Sequence, residues 1–232
     1  MRSLFIVVMA VVLLAMLMAG IQRYLPPGYQ PFTPLSVNDP PTWITRLKMR
    51  ALSHNTAACL SILADARKAG LIAFTPGAST HGACPLVSPV RVHGFGPVAL
   101  SSSFLASCPL ALSSVRFVAQ AAAPLAKTEL GSPLVRIDHL GSYDCRNIYH
   151  RPTGGLSEHA SAEALDVASF HLADGRSIGI AQQWRRDNPE GRYLHTLFGR
   201  SCDYFGNALG PDYNAAHAGH FHFGMREYGL CR

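Results

Sequence analysis

Charged residues are scarce in this chain, making up 15% of its 232 positions. The sequence also has no heptad period, no glycine period and no internal repeat, and its aromatic residues are spread along its length. These absences exclude an intrinsically disordered, collagen-like or coiled-coil protein. Only one apolar run approaches the ~18 to 20 residues needed to cross a bilayer, which excludes a multi-span membrane protein.

That run extends from Leu4 to Ile21 and follows a basic residue, Arg2. A cleaved signal peptide would end in a small-x-small site, and Leu17 and Met18 occupy the positions where the first small residue would stand. We therefore expect residues 1–22 to be retained as a single-pass anchor in the inner membrane, or as an uncleaved signal, with a cleaved signal peptide as the alternative. Either outcome predicts that the rest of the chain lies in the periplasm.

The cysteines are even in number and include no CxxC pair of the kind that binds zinc or exchanges thiols. In an exported protein this pattern predicts three structural disulfides, whereas a cytosolic protein would keep free thiols. Six cysteines allow 15 connectivities, and the sequence does not choose among them. The candidates are Cys59, Cys84, Cys108, Cys145, Cys202 and Cys231.

Proline-rich sequence at 23–42 predicts a stiff stalk, because proline disfavours helix and favours extended backbone. Residues 43–232 then form one domain. The formal net charge is +6, which favours weak attraction to a polyanionic envelope surface. No basic run with interleaved aromatics occurs, so we expect no nucleic-acid partner.

Within the domain, helical and strand patterns alternate without a βαβ rhythm. This order predicts an α+β fold with a small, mainly antiparallel sheet flanked by helices and stabilised by disulfides. The expected helices cover 56–69, with Asn55 as N-cap, 110–130, with a kink or break at Pro124, and 189–198. The expected strands cover a pair within 89–100, then 134–137, 164–172, 177–181 and 220–225.

Histidines cluster near the carboxyl terminus, where His217, His220 and His222 form an HxxHxH pattern. On a strand, positions 220 and 222 project to the same face. Two imidazoles on one face can form the edge of a metal site, although an HxH pair also occurs as an ordinary surface or core pair.

A second element places His159 in a loop and Asp166 at the start of an apolar, strand-like stretch. Together with one histidine of the closing HxH, these residues supply two nitrogens and one carboxylate oxygen. That set leaves a tetrahedral zinc one open position for water, as in a catalytic site. Calcium or magnesium would need more oxygen ligands. The pattern therefore predicts Zn2+.

These motifs resemble a known family. The segments 141–146, 156–160, 209–214 and 220–222 are similar to the bacterial extensin-like carboxy-terminal domain. The spacing Ser-x-His-(six residues)-Asp with a late HxH also resembles the D-Ala-D-Ala carboxypeptidase, murein endopeptidase and hedgehog type of zinc metallopeptidase. The resemblance covers roughly residues 43 to 232.

The resemblance implies a hedgehog- or DD-peptidase-like fold and a role for each site residue. His159, Asp166 and His222 would bind zinc. Arg146 would hold the substrate carbonyl or carboxylate, with a surface salt bridge beside Cys145 as the alternative, and Ser157 would also contact substrate. The proton acceptor would be His220 or His217.

Three positions depart from the metallopeptidase pattern. Ala162 replaces the usual glycine, Gly219 replaces an acidic residue that often precedes HxH, and Gly224 stands where related sequences often carry aspartate. Without the acid at 219, a histidine would have to accept the proton from water. The altered residue 224 would change the support around the metal ligands.

The sequence and the resemblance together predict a zinc peptidase that cleaves peptide bonds of peptidoglycan in the cell envelope. A non-catalytic, metal-containing wall-binding or scaffold domain is the alternative, favoured by Gly219. A disulfide-stabilised domain without metal would require the His and Asp pattern to be coincidental.

Overall fold

An eight-stranded, mostly antiparallel sheet and its flanking helices form the domain, which confirms the predicted α+β fold. The computed structural model describes residues 2–226 and 229–232. The helices are α1 (Arg2–Tyr24), α2 (Trp43–Ser53), α3 (Thr56–Lys68), α4 (Cys108–Phe117), α5 (Ala123–Leu130), α6 (Ile180–Gln183) and α7 (Pro189–Ser201). The strands are β1 (Ala73–Pro76), β2 (Val90–Phe95), β3 (Val98–Ala106), β4 (Leu134–Gly141), β5 (Ala164–Leu172), β6 (Ser177–Gly179), β7 (Asn207–Leu209) and β8 (Phe221–Gly224).

The strand order in the sheet is β1-β2-β3-β4-β5-β8-β7, and β6 pairs with β5. The pairing of β3 with β4 is parallel, and the helices α4 and α5 provide the crossover that a parallel connection requires. The remaining pairs are antiparallel. As a result β8, the last strand of the chain, lies directly beside β5.

The amino-terminal helix α1 spans the segment in which we expected a membrane anchor. Among the residues that the structure describes, no helix combines the length and apolar character needed to cross a membrane. The described residues therefore do not bear out the transmembrane helix expected at 1–22, and the inner-membrane localisation stays a prediction. Met1 of that segment, and Glu227 and Tyr228 of the domain, lie outside the described residues.

Part of the proline-rich segment at 23–42 packs on the domain rather than forming only a spacer. Leu35 and Val37 are each 4% exposed and belong to the hydrophobic core. The carbonyl oxygen of Asp39 accepts hydrogen bonds from Arg116 Nη2 and Gln120 Nε2, both at 3.0 Å. The end of this segment is therefore a structural part of the domain.

Local signals explain most of the helices. The Asn55 side chain accepts a hydrogen bond from Ala58 N at 3.1 Å and caps α3, as predicted. The helix α2 was not predicted, although Thr42 and Thr45 form a reciprocal capping box at its start. Near Pro124, where a kink or break was expected, a π-helical segment, Val118–Ala122, separates α4 from α5 and places the proline in the first turn of α5.

The predicted disulfides are confirmed, since all six cysteines are paired. Cys59–Cys108 joins the helices α3 and α4, and Cys84–Cys145 holds the loop that follows β4. Cys202–Cys231 joins the end of α7 to the carboxyl-terminal segment. The last two crosslinks restrain segments that lie close to the site described next.

Candidate metal centre

The antiparallel pairing of β5 with β8 places Asp166 directly opposite His222. Directly opposed residues project to the same face of a sheet, so the two side chains meet. Asp166 Oδ1 lies 2.9 Å from His222 Nδ1. His220 precedes β8, and its Nε2 lies 3.6 Å from the same carboxylate oxygen.

His159 reaches this carboxylate from a short 3-10 helix, Glu158–Ser161, that leads into β5. Its Nε2 lies 3.2 Å from Asp166 Oδ2, and its Nδ1–H donates to the carbonyl oxygen of Ser142 at 2.9 Å. The helix ends at Ala162, which has a left-handed backbone with φ of 52°. A glycine would adopt this conformation at lower cost, which explains why Ala162 is a notable substitution in the motif.

One ligand atom from each of His159, Asp166 and His222 lies within 4.8 Å of the other two. A tetrahedral zinc with ligands at 2.0–2.2 Å needs donor atoms about 3.3 Å apart. His159 Nε2 lies 3.2 Å from Asp166 Oδ2 and His222 Nδ1 lies 2.9 Å from Asp166 Oδ1, so each nitrogen is close to that spacing from one of the two carboxylate oxygens. The structure therefore brings together the three residues that the sequence predicted, in an arrangement that fits zinc.

Each imidazole is also held on the side that faces away from Asp166. Ser142 accepts the hydrogen of His159 Nδ1, and the carboxylate of Glu158 lies 3.5 Å from His222 Nε2. Metal-binding histidines commonly donate their second ring N–H to an oxygen in this way. Glu158 is a residue of this site that the sequence analysis did not identify. Its position could have indicated a role, because it is an acidic residue next to His159 in a chain with only 14 carboxylate side chains.

Electrostatics couple these groups strongly. Burial favours the neutral form of Asp166, but hydrogen bonds with His159 and His222 outweigh it and hold the pKa of this carboxyl well below its ordinary value. Burial disfavours the charged form of His222, yet its hydrogen bonds to Asp166 and Glu158 prevail and raise the pKa of His222 to about 9. Without metal, the site therefore holds a buried imidazolium between two carboxylates.

The site opens into a pocket of about 340 Å³. The walls combine histidines, two arginines and several apolar side chains. The lining residues are Arg146, Ile148, Tyr149, His150, Ser157, Glu158, His159, Asp166, Asn207, Leu209, Tyr213, Ala216, His217, His220, His222, Arg226 and Leu230.

Tyr149 and His150 belong to a loop that sequence analysis did not identify. Both residues have positive φ angles, of 55° and 54°. The Tyr149 hydroxyl accepts a hydrogen bond from Asn214 Nδ2 at 3.0 Å, which ties this segment to the one that carries His217. Strained backbone of this kind is common at functional sites.

His217 lies in the pocket with a defined tautomer. Its Nδ1–H donates to Asn214 Oδ1 at 2.8 Å, which leaves the lone pair on Nε2. The amide orientation of Asn214 is fixed, because the same oxygen accepts Ala216 N–H at 3.0 Å. Burial, with the positive potential of His222 and His220, lowers the pKa of His217 to about 4. His217 is therefore neutral at neutral pH.

Two further predicted residues line the pocket and also have structural contacts. Arg146 Nε lies 2.7 Å from Asp144 Oδ2, so the predicted salt-bridge alternative exists in the structure. The Ser157 hydroxyl accepts the His159 N–H at 3.3 Å and caps the 3-10 helix. At Gly219, a Cβ would make an ordinary 3.5 Å contact with Ala181, so packing does not exclude a side chain there.

Fold and site together define the chain as a disulfide-linked α+β domain with a His-Asp-His cluster of two buried histidines and a half-buried aspartate. The model of the family described as "Extensin-like protein C-terminus" matches residues 57–232, and the chain belongs to this family. No curated protein and no solved structure matches the chain. The predicted relation to zinc metallopeptidases stays a prediction.

Proposed function

We propose that this domain is a zinc-dependent hydrolase that cleaves peptide bonds of peptidoglycan. The observation that carries the proposal is the convergence of His159, Asp166 and His222 at the base of a pocket. Two imidazole nitrogens and one carboxylate oxygen suit zinc and leave a position for water, which is the stoichiometry of a catalytic site.

Zinc bound there would act as a Lewis acid and lower the pKa of a coordinated water to near neutrality. His217 is the better of the two candidate proton acceptors, because its Nδ1–H donates to Asn214 and the lone pair is left on Nε2. The Nε2 of His220 instead lies 3.6 Å from Asp166, which suits an orienting role. Positioned proton acceptors of this kind contribute about 10²- to 10⁴-fold to the rate.

Arg146 and Ser157 supply contacts for the substrate in the proposed reaction. Both line the pocket that contains the three proposed ligands. A guanidinium near the scissile bond stabilises the negative charge that develops when water attacks an amide. The salt bridge to Asp144 orients the Arg146 side chain.

We further propose that the domain acts in the periplasm on the peptides of the wall. Three disulfides support a compartment outside the reducing cytoplasm. The net charge of +6 supports weak attraction to a polyanionic surface. The choice of peptidoglycan peptide as substrate depends on the family resemblance.

The test uses the purified full chain, because Leu35 and Val37 belong to the core and a truncation at residue 43 would remove them. Zinc-loaded protein is incubated with purified peptidoglycan, and soluble fragments are analysed by chromatography and mass spectrometry. The proposal predicts new muropeptide fragments that a chelator abolishes and zinc restores. Chelator-insensitive products, or none, would contradict it.

A non-catalytic, metal-containing wall-binding domain is the second candidate. Gly219 favours it, because the position has room for an acidic side chain and carries none. His217→Ala distinguishes the two functions. The hydrolase predicts loss of turnover with zinc content and wall binding retained, whereas the binding domain predicts no turnover in either protein.

A further inference from the structure

Glu158 is a buried carboxylate beside the proposed zinc ligands. The residue is 8% exposed, and its Oε2 lies 3.5 Å from His222 Nε2. Asn207 Nδ2 donates to both of its oxygens at 3.1 Å, and the backbone N–H of Arg226 donates to Oε1 at 2.7 Å. A carboxylate held by this many donors has a fixed orientation.

Gly224 leaves the space that Glu158 fills. A Cβ on residue 224 would lie 2.6 Å from Glu158 Oε1 and equally close to the side-chain atoms of Asn207. Such contacts are too short for any side chain at position 224, so the Glu158 carboxylate fits there only because residue 224 is glycine. Gly224 also pairs with Asn207 across β8 and β7, which places the amide against the carboxylate.

The two ring nitrogens of His222 face different partners. Its Nδ1 points to Asp166 at 2.9 Å, and its Nε2 points to Glu158. An oxygen on one side of an imidazole fixes both the ring orientation and the tautomer. With Nε2–H directed to Glu158, Nδ1 is the nitrogen that remains for a metal.

We propose that Glu158 is a positioning residue for metal binding. By accepting Nε2–H of His222, it presents Nδ1 toward Asp166 and His159. This inference rests on the proposed zinc site and names the residue that completes it. Removing such a partner typically weakens metal affinity by about 10- to 100-fold.

Glu158→Gln in the full chain tests the proposal, with zinc alone as the probe and a chromogenic chelator as competitor. We expect a zinc affinity about 10- to 100-fold weaker than in the wild type. Glu163→Gln is the matched control, because this nearby carboxylate accepts Ser161 Oγ at 2.7 Å and does not line the pocket. Thermal unfolding of the metal-free variants reports whether each one folds.

Nitrogen-15 NMR of the histidines in zinc-loaded wild type gives a readout that does not depend on any variant. Glu158 as a positioning residue predicts a protonated Nε2 and a metal-bound Nδ1 at His222. The opposite assignment would overturn it, as would equal zinc affinity of the Glu158→Gln and Glu163→Gln proteins. Absence of zinc binding by the wild type would instead overturn the proposed function.

Discussion

Asp166 and His222 are register partners on adjacent antiparallel strands, and Asp166 Oδ1 lies 2.9 Å from His222 Nδ1. The backbone ladder between β5 and β8 therefore sets the spacing of two proposed ligands before any metal binds. His159 enters from the segment that immediately precedes β5. Preorganisation of this kind lowers the cost of assembling a metal site on binding.

The metal-free protein should lose stability as the pH rises from 6.5 to about 9. Partnership with Asp166 and Glu158 raises the pKa of His222 from 6.5 to about 9. A raised pKa in the folded state adds stability that is complete below the unfolded value and is lost as the pH rises through the folded value. Calorimetry in chelator should show a falling Tm over this range in the wild type. The Tm of His222→Gln should lack this fall, and equal profiles would refute the assignment.

His217→Ala should reduce peptide hydrolysis by about 10²- to 10⁴-fold while zinc content stays unchanged. The reason is that the lone pair on its Nε2 accepts the proton from water in the proposed reaction. His54→Ala, at an exposed loop position, is the control and should keep full turnover. If His220→Ala abolishes turnover and His217→Ala does not, the proton acceptor is His220 instead.

Replacing both Cys59 and Cys108 with alanine should lower the free energy of unfolding by about 2–5 kcal/mol. The crosslink closes a span of 49 residues between the buried ends of two packed helices. Urea denaturation measures the change, and Ser61→Ala on the exposed face of α3 should leave the midpoint unaltered. An unchanged midpoint in the double variant would show that the crosslink does not stabilise the fold.

Sequence reasoning recovered what depends on local chemistry. The Asn55 cap and the adjacent strands β5 and β6 follow from residue type and strand periodicity, whereas the choice of His159, Asp166 and His222 as a set came from the family resemblance. The interruption expected near Pro124 takes the form of a π-helical segment, Val118–Ala122, just before the proline, and the sequence did not specify that form.

Contacts between distant residues could not be predicted in the same way. Glu158 depends on Asn207, 49 positions later, and on the space left at Gly224. Leu35 likewise belongs to a core that residues from the whole domain build, which the proline pattern around it does not reveal. Residues that are far apart in the sequence contact each other at no fixed spacing, so these pairings could not be predicted from one sequence.

Leu35→Ala should destabilise the domain by about 2–5 kcal/mol, as expected for a large-to-small change in a core. Leu35 is 4% exposed and packs within the core although it lies in the proline-rich segment. Leu47→Ala, at a side chain 50% exposed on α2, should change the unfolding free energy by less than about 0.5 kcal/mol. If Leu35→Ala changed the unfolding free energy as little as Leu47→Ala does, residues 23–42 would not contribute to the stability of the fold.

Zinc content of the purified full chain, measured by mass spectrometry after dialysis, reports whether His159, Asp166 and His222 hold a metal. The proposed zinc site predicts one zinc per wild-type chain and loss of that zinc in Asp166→Ala. Asp138→Ala should retain it, because Asp138 pairs with His171 at 2.7 Å but lies outside the three-residue cluster. A wild-type protein without zinc, or equal zinc in the wild type and Asp166→Ala, would contradict the proposed zinc site.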